Sequence, residues 1–277
     1  MAWVSQYKTD AAGALKAFLD DIITNYGQEN GYGWSIHDNN AGTNIGVYKC
    51  QPDSGSSFIL VVKDNQTAFA TIEYWEGWNT ETHVGVGNSM TVGVNSNFTL
   101  RIRKATGTFN AAINKRRIVL AVMGGGWAYY LGYPRRFDET KDTPCFIGHD
   151  SYTSGTSYSH NPLAGQYTPA SAGAAWRWFK NSVGAINQAL AVTGFTTGAS
   201  FPRFDTWTTT GQHYIFESTA QESDSPFKLI GILDGVMCVG NCPSGRANGD
   251  TIVVGEDVWL VVRDLGGNAT TCFIKMA

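Results

Sequence analysis

The stretch Glu73-Tyr74-Trp75-Glu76-Gly77-Trp78-Asn79-Thr80-Glu81-Thr82-His83 holds the densest set of residues able to do chemistry. Paired carboxylates act as general acid and base, and indoles stack on sugar rings; glycosidases combine the two. In that reading Glu73 and Glu76 are the acids. Without the acid chemistry, Trp75, Trp78 and neighbouring tyrosines describe a carbohydrate-binding patch. A half-exposed strand that merely packs also alternates acids with aromatics. Sheet and loop packing is the reading carried forward.

Other reactive residues form no recognisable set. Cys238 and Cys242 have three residues between them and could clip a zinc ion if two further ligands arrived from Cys272, Cys50 or a histidine. They could equally pair as a disulfide or simply pack. His37, His149, His160 and His213 show no ligand spacing. Gly124-Gly125-Gly126 resembles the oxyanion loop of some lipases, but Met123 rather than His precedes it and no G-x-S-x-G run accompanies it. A turn is the simpler reading. Phosphate-binding G-x-x-x-x-G-K-[ST] and H-E-x-x-H runs are also missing. The expectation is a protein that is not an enzyme, with no catalytic, cofactor-binding or metal-binding residue and no cofactor.

Bulk composition narrows the class further. Charged residues are 16%, against a usual ~25%, while aromatics reach 13%. Few charges with many aromatics and 32 glycines describe a turn-rich β protein. A net charge of -3 supplies no basic field for nucleic acid or an anionic membrane. Residues 118–134 carry no charge, yet this run is shorter than the ~20 residues of a spanning helix and has the triple glycine at its middle. Two buried strands around a glycine turn fit it better. The start, MAWVSQYKTD, shows no signal-peptide pattern, so five cysteines read as free thiols in a reducing cytoplasm.

The elements that must position these residues follow from periodicity. Leu15, Phe18, Leu19, Ile22, Ile23 and Tyr26 recur at helical steps, predicting an amphipathic helix that opens the chain within 1–30. Thr9 or Asp10 is the expected cap, and Gly27 the left-handed stop. Strands are predicted at 45–50, 58–62, 68–75, 98–103, 118–123 and 127–133, then at 214–218, 228–233, 236–239, 252–254, 258–262 and 271–276. Gly255-Glu256-Asp257 reads as a tight hairpin connection. Residues 150–173 are rich in Ser, Thr, Gly, Pro and Tyr, predicting an extended loop or arm. Trp176, Phe179, Val183, Ile186 and Leu190 predict a second helix, weakened by Gly184. The fold expected is mainly β: one antiparallel sandwich- or barrel-like domain over 1–277, with an N-terminal amphipathic helix and a long central loop or arm.

The chain resembles a loosely related group of tailed-bacteriophage virion structural proteins, associated with the tail or neck. The residues that carry this are Asn114-Lys115-Arg116-Arg117-Ile118-Val119, Tyr130-Leu131-Gly132-Tyr133-Pro134 and Pro144 to Gly148. A later set is Leu233-Asp234-Gly235-Val236, Gly240, Asp250-Thr251-Ile252, Gly255 and Trp259-Leu260-Val261. Residues 150–210 match least, and Cys238, Cys242 and Cys272 are not part of the pattern. The resemblance implies a virion protein of the neck, tail or tail tip (baseplate) that acts through assembly contacts, and it implies no active-site residue. The partners expected are other virion proteins and copies of itself in a closed ring, with no nucleic-acid specificity and no membrane. The rival reading is a carbohydrate-binding, host-recognition module using Trp75 and Trp78; a glycoside hydrolase stands behind it. The aromatic run Trp127–Tyr133 is expected to serve core, interface or both.

Overall fold

A computed structural model describes residues 1–53, 55–91, 100–136, 143–148, 177–180, 186–192, 216–222, 228–239, 247–263 and 271–276. Among them the chain is mainly β, with twenty strands, one α-helix and every strand pair antiparallel. The arm expected at 150–173 lies outside the described residues.

A strand, not a helix, comes first. β1 (Ala2–Lys8) pairs along its whole length with Gly107–Ile113. Its partner lies a hundred residues away, so local periodicity could not reveal it. The helix α1 follows at Ala14–Tyr26 and buries Leu15, Phe18, Leu19, Ile22 and Ile23.

Both expected helix ends need correction. The residue at the N-cap is Gly13, with φ 82°, and it offers no side chain. The orphan amides of Leu15 and Lys16 are taken instead by Asp64 Oδ2, at 2.8 and 3.1 Å. Asp10 is occupied elsewhere, accepting from Thr106 Oγ1 at 3.0 Å. Gly27 stays right-handed at φ -75°. A Cβ there would meet Ile23 O at 2.5 Å and Trp34 O at 2.7 Å, so close backbone approach is what excludes a side chain. The left-handed residues come later, at Asn30 and Gly31, which make the two-residue turn between β2 (Gln28–Glu29) and β3 (Tyr32–Asp38).

A seven-stranded sheet is built next. It adds β4 (Ile45–Gln51), β5 (Phe58–Lys63), β6 (Phe69–Asn79) and β7 (Val84–Met90) in chain order after β3. β8 (Leu100–Arg103) pairs with the start of β6. Parity along the strands sets its inner face. Trp34, Tyr48, Phe58, Leu60, Ile72 and Tyr74 are all buried against α1 and the second sheet.

The second sheet has thirteen strands. Its first part is β1 with β9 (Gly107–Ile113), β10 (Arg117–Val122), β11 (Trp127–Gly132) and β13 (Cys145–Gly148); β12 (Arg135–Arg136) pairs separately with β17. It continues through β14 (Arg177–Lys180), β15 (Ile186–Val192), β16 (Phe216–Glu222), β17 (Lys228–Val239), β20 (Thr271–Lys275), β19 (Asp257–Arg263) and β18 (Thr251–Val254). β14 and β15 stand where a second helix was expected. The apolar steps there fit a helix locally, but β-branched and aromatic residues also suit strands, and pairing with β13 decided the outcome.

β10 shows why the uncharged run exists. Ile118, Leu120 and Val122 enter the core shared with the seven-stranded sheet, whereas Val119 and Ala121 enter a second core with Leu233, Leu260, Val262 and Ile274. From Ile118 to Val122 the strand is buried on both faces and apolar throughout, and its one charge, Arg117, stands at its first position, where Asp234 pairs with it. The triple glycine closes the β10–β11 turn, where the amides of Gly125 and Gly126 donate to Val122 and Met123 carbonyls at 3.3 Å. Among the described residues no helix is long and apolar enough to cross a membrane. The aromatic run is core: Tyr129, Tyr130 and Tyr133 are closed off, and only Trp127 is partly buried. Tyr74 Oη donates to Cys145 O at 3.2 Å and Arg103 N to Tyr129 Oη at 2.8 Å, tying the two sheets together.

Candidate functional site

Two irregularities in the seven-stranded sheet bring its chemistry-bearing residues together. Trp75 and Trp78 are three apart, so in a regular strand they would face opposite sides. The register of β6 against β7 shifts between Trp75 and Gly77. This bulge re-aims Trp78, and both indoles pack on the outer face over Val47, Ile59 and Val61. β3 repeats the device. Ile36 is opposite inward-facing Tyr48, yet Asp38, two residues on, is opposite Val47 of the outer face. The bulge between them turns Asp38 from the core side to the outer side.

Asp38 then becomes the centre of the site. Its side chain is 3% exposed, and Oδ2 accepts from Trp78 Nε1 at 2.8 Å and lies 2.7 Å from His83 Nδ1. Oδ1 accepts from the Asn40 amide at 2.8 Å. Burial alone would push this carboxyl up, but the hydrogen bonds from His83, Trp78 and Asn40 outweigh it and hold it below its ordinary value. The strand register shows how far the chain travels to make these bonds. Asp38 shares a row with Val47, Val61 and Glu73, while Trp78 lies five residues beyond Glu73. The β6–β7 hairpin therefore bends at its bulge and carries its tip back over the outer face.

The tip has fixed geometry. Asn79 Oδ1 accepts from the amides of Glu81 and Thr82 at 2.9 and 3.0 Å. His83 follows in the left-handed region at φ 56°, uncommon for a residue with a Cβ and costing ~1–2 kcal/mol. That conformation points its ring at Asp38 and leaves 37% of the side chain exposed. Gly85 lies opposite Trp78, and a Cβ there would sit 2.1 Å from Trp75 Cδ2, so the missing side chain gives Trp75 its seat.

The two acids expected to do chemistry, Glu73 and Glu76, are engaged. Glu73 accepts from Lys63 Nζ through Oε1 and from Trp75 Nε1 at 3.0 Å through Oε2. Glu76 Oε2 accepts from the Asn88 amide and side chain at 2.9 and 3.0 Å. Glu73 orients an indole and Glu76 braces β7. Asp38 and Lys63 were missed in the sequence. Asp38 stands forty residues from Trp78, and its inward parity gave no sign that a bulge would turn it.

The remaining reactive residues are spread out. Cys50, Cys145 and Cys272 are buried and make no disulfide. Cys238 is directly opposite Cys272 in the β17–β20 ladder, and Cys242 lies outside the described residues. Among the described residues no three His, Cys, Asp or Glu side chains group as metal ligands. His37 is half-buried on β3, while His149, His160 and His213 lie outside the described residues. No protein-family model matches the chain, and no curated protein matches it either.

Proposed function

We propose that this chain is a structural component of a tailed-phage virion, in the tail or neck, which assembles through protein–protein contacts into a closed ring. The sequence resemblance supports the virion setting, and the sandwich-like stacking of β layers on a fully buried central strand suits a rigid building block. The observation that carries the assembly reading is the β18–β19 hairpin. Val253 is 70% exposed and stands directly opposite Val258, 37% exposed, with Val254 at 38% beside them.

An exposed β-branched edge is a template for pairing with another chain. Sheets that remain monomeric usually protect such an edge with lysine, proline or a bulge. Thr251-Ile252-Val253-Val254 contains no lysine or proline, and its pairing with β19 is regular. Among the described residues β18 ends the thirteen-strand ladder, and β1, carrying Tyr7 at 71% exposure, ends it on the other side. Two different edges on one subunit suit head-to-tail contacts, which close into rings when the rotation allows.

The test has two arms. Mass spectrometry and imaging of purified phage particles should find the chain in the tail or neck; particles lacking it would defeat the reading. Native mass spectrometry of the purified chain should show a ring that Val253→Lys reduces to monomers with an unchanged melting temperature. A wild-type monomer, or a ring that tolerates the lysine, would defeat the role given to this edge.

A further inference from the structure

We propose that the outer face of the seven-stranded sheet, with the β6–β7 tip folded over it, is a shallow binding site for uncharged pyranose sugars. Trp75 and Trp78 supply the stacking surface and His83 Nε2 reads a hydroxyl.

The construction of the site argues for a ligand. Covering Val47, Ile59 and Val61 requires only apolar area, which a regular strand of aliphatic residues would give. Instead two bulges, a left-handed histidine and a glycine seat for Trp75 converge on one spot. Bulges that re-aim side chains are enriched beside functional sites. The two tryptophans remain half-buried, while the aliphatic residues beneath them are closed.

The polar groups specify the ligand class. Asp38 is a hydrogen-bond acceptor facing His83 Nδ1, so Nδ1 carries the proton. In the neutral ring Nε2 is then left as an acceptor, in the manner of histidines oriented by a carboxylate. The lowered proton affinity of Asp38 supports this assignment. Such an acceptor beside two aromatic surfaces suits a sugar, which has hydroxyl donors at its rim and C–H groups on its faces. The two carboxylates that touch the indoles are not offered to a ligand, since Glu73 is paired with Lys63 and the Asp38 side chain is only 3% exposed beneath its donors, so contact with the indoles favours a neutral sugar.

The test uses the full chain on an array of neutral hexose and N-acetylhexosamine oligosaccharides, with uronic-acid and amino-sugar oligosaccharides of equal length. A neutral oligosaccharide should be retained, and titration calorimetry with it should show weakening of about tenfold for Trp75→Ala, the size of one lost aromatic contact. Should Trp75→Ala fail to fold, Trp75→Leu and His83→Ala carry the same test, with near-UV circular dichroism to verify the fold. Val253→Lys, remote in the fold, should bind like wild type. Retention of no sugar, preference for charged sugars, or binding unmoved by the tryptophan and histidine variants would overturn the proposal. So would a change in oligomer mass in those variants without sugar binding, which would make the face a contact between copies. Loss of the ring in Val253→Lys with sugar binding intact separates this proposal from the assembly reading.

Discussion

Asp64 and Lys104 form an ion pair in which both side chains are fully buried, and the same carboxylate closes the first turn of α1. Lys104 Nζ also donates to the carbonyls of Ala11 and Gln66. One short turn between β5 and β6 thus fixes the helix start, the loop before it and the strand end after β8. Desolvating two charges is costly, and satisfied partners on every side are what make it tolerable.

Breaking that pair should be severe. Lys104→Ala or Asp64→Ala leaves a buried charge unmatched and is expected to cost ~3–5 kcal/mol. Replacing both, as Lys104→Met with Asp64→Leu, should cost less than the sum of the single changes, because no lone charge remains. The part that persists is the lost helix cap, ~1 kcal/mol. Denaturant midpoints followed by circular dichroism give the cycle; additive losses would refute the coupling.

A second buried cation ties β10 to β17. Arg117 is 3% exposed and reaches Asp234 Oδ2 at 2.8 Å, next to Gly235 at φ 79°. A Cβ on Gly235 would lie 2.6 Å from Arg117 Nη2. Gly235→Ala should therefore lose ~1–2 kcal/mol through left-handed backbone strain and displace the guanidinium. Asp234→Ala should lower the melting temperature by leaving Arg117 without its carboxylate, but without that backbone cost. Thermal melts of both variants check the order, and an unaffected Gly235→Ala would contradict the geometry.

Acid should loosen the hairpin tip. Asp38 is held below the ordinary carboxylate value near ~4, so its contribution is fully present above that pH. It is lost as pH falls through the lowered folded value. Wild type should exceed Asp38→Asn in urea midpoint at pH 6, with the gap narrowing below pH 4. A gap that stayed constant from pH 6 to pH 2 would show that the Asp38 carboxylate does not hold the tip.

The seat of Trp75 is equally open to test. Gly85→Val would force the indole aside, since even a Cβ would meet its ring at 2.1 Å. The expected loss is ~1–3 kcal/mol, typical of overpacking. With fluorotryptophan labelling, the Trp75 resonance, assigned through Trp75→Phe, should move while those of Trp34 and Trp259 stay. An unmoved Trp75 resonance would mean that the ring does not lie over Gly85.

Much of the local structure was legible. The stripe Leu15, Phe18, Leu19, Ile22 and Ile23 was readable because a helix repeats its buried face every three to four residues. The strands β5, β10, β11 and β19 showed as apolar runs. The β18–β19 turn showed through Gly255, whose φ of 64° is the conformation a two-residue hairpin needs at its first position. β1 was not legible, and β14 and β15 were misread as a helix, since short apolar spacings serve either structure until a partner strand is present.

The identity of the reactive stretch, Glu73 to His83, was written in residue types, and so was the lack of phosphate-binding or nucleophile motifs. Side-chain chemistry and local periodicity are properties of neighbours in the chain. Which of those residues work together was decided only in three dimensions. Glu73 and Glu76 turned away to brace Trp75 and Asn88, while Asp38 arrived from a distant strand through a bulge that shifts parity by one. A one-residue change of register exchanges the two faces of a strand, and it depends on the whole ladder around it, not on any residue within it.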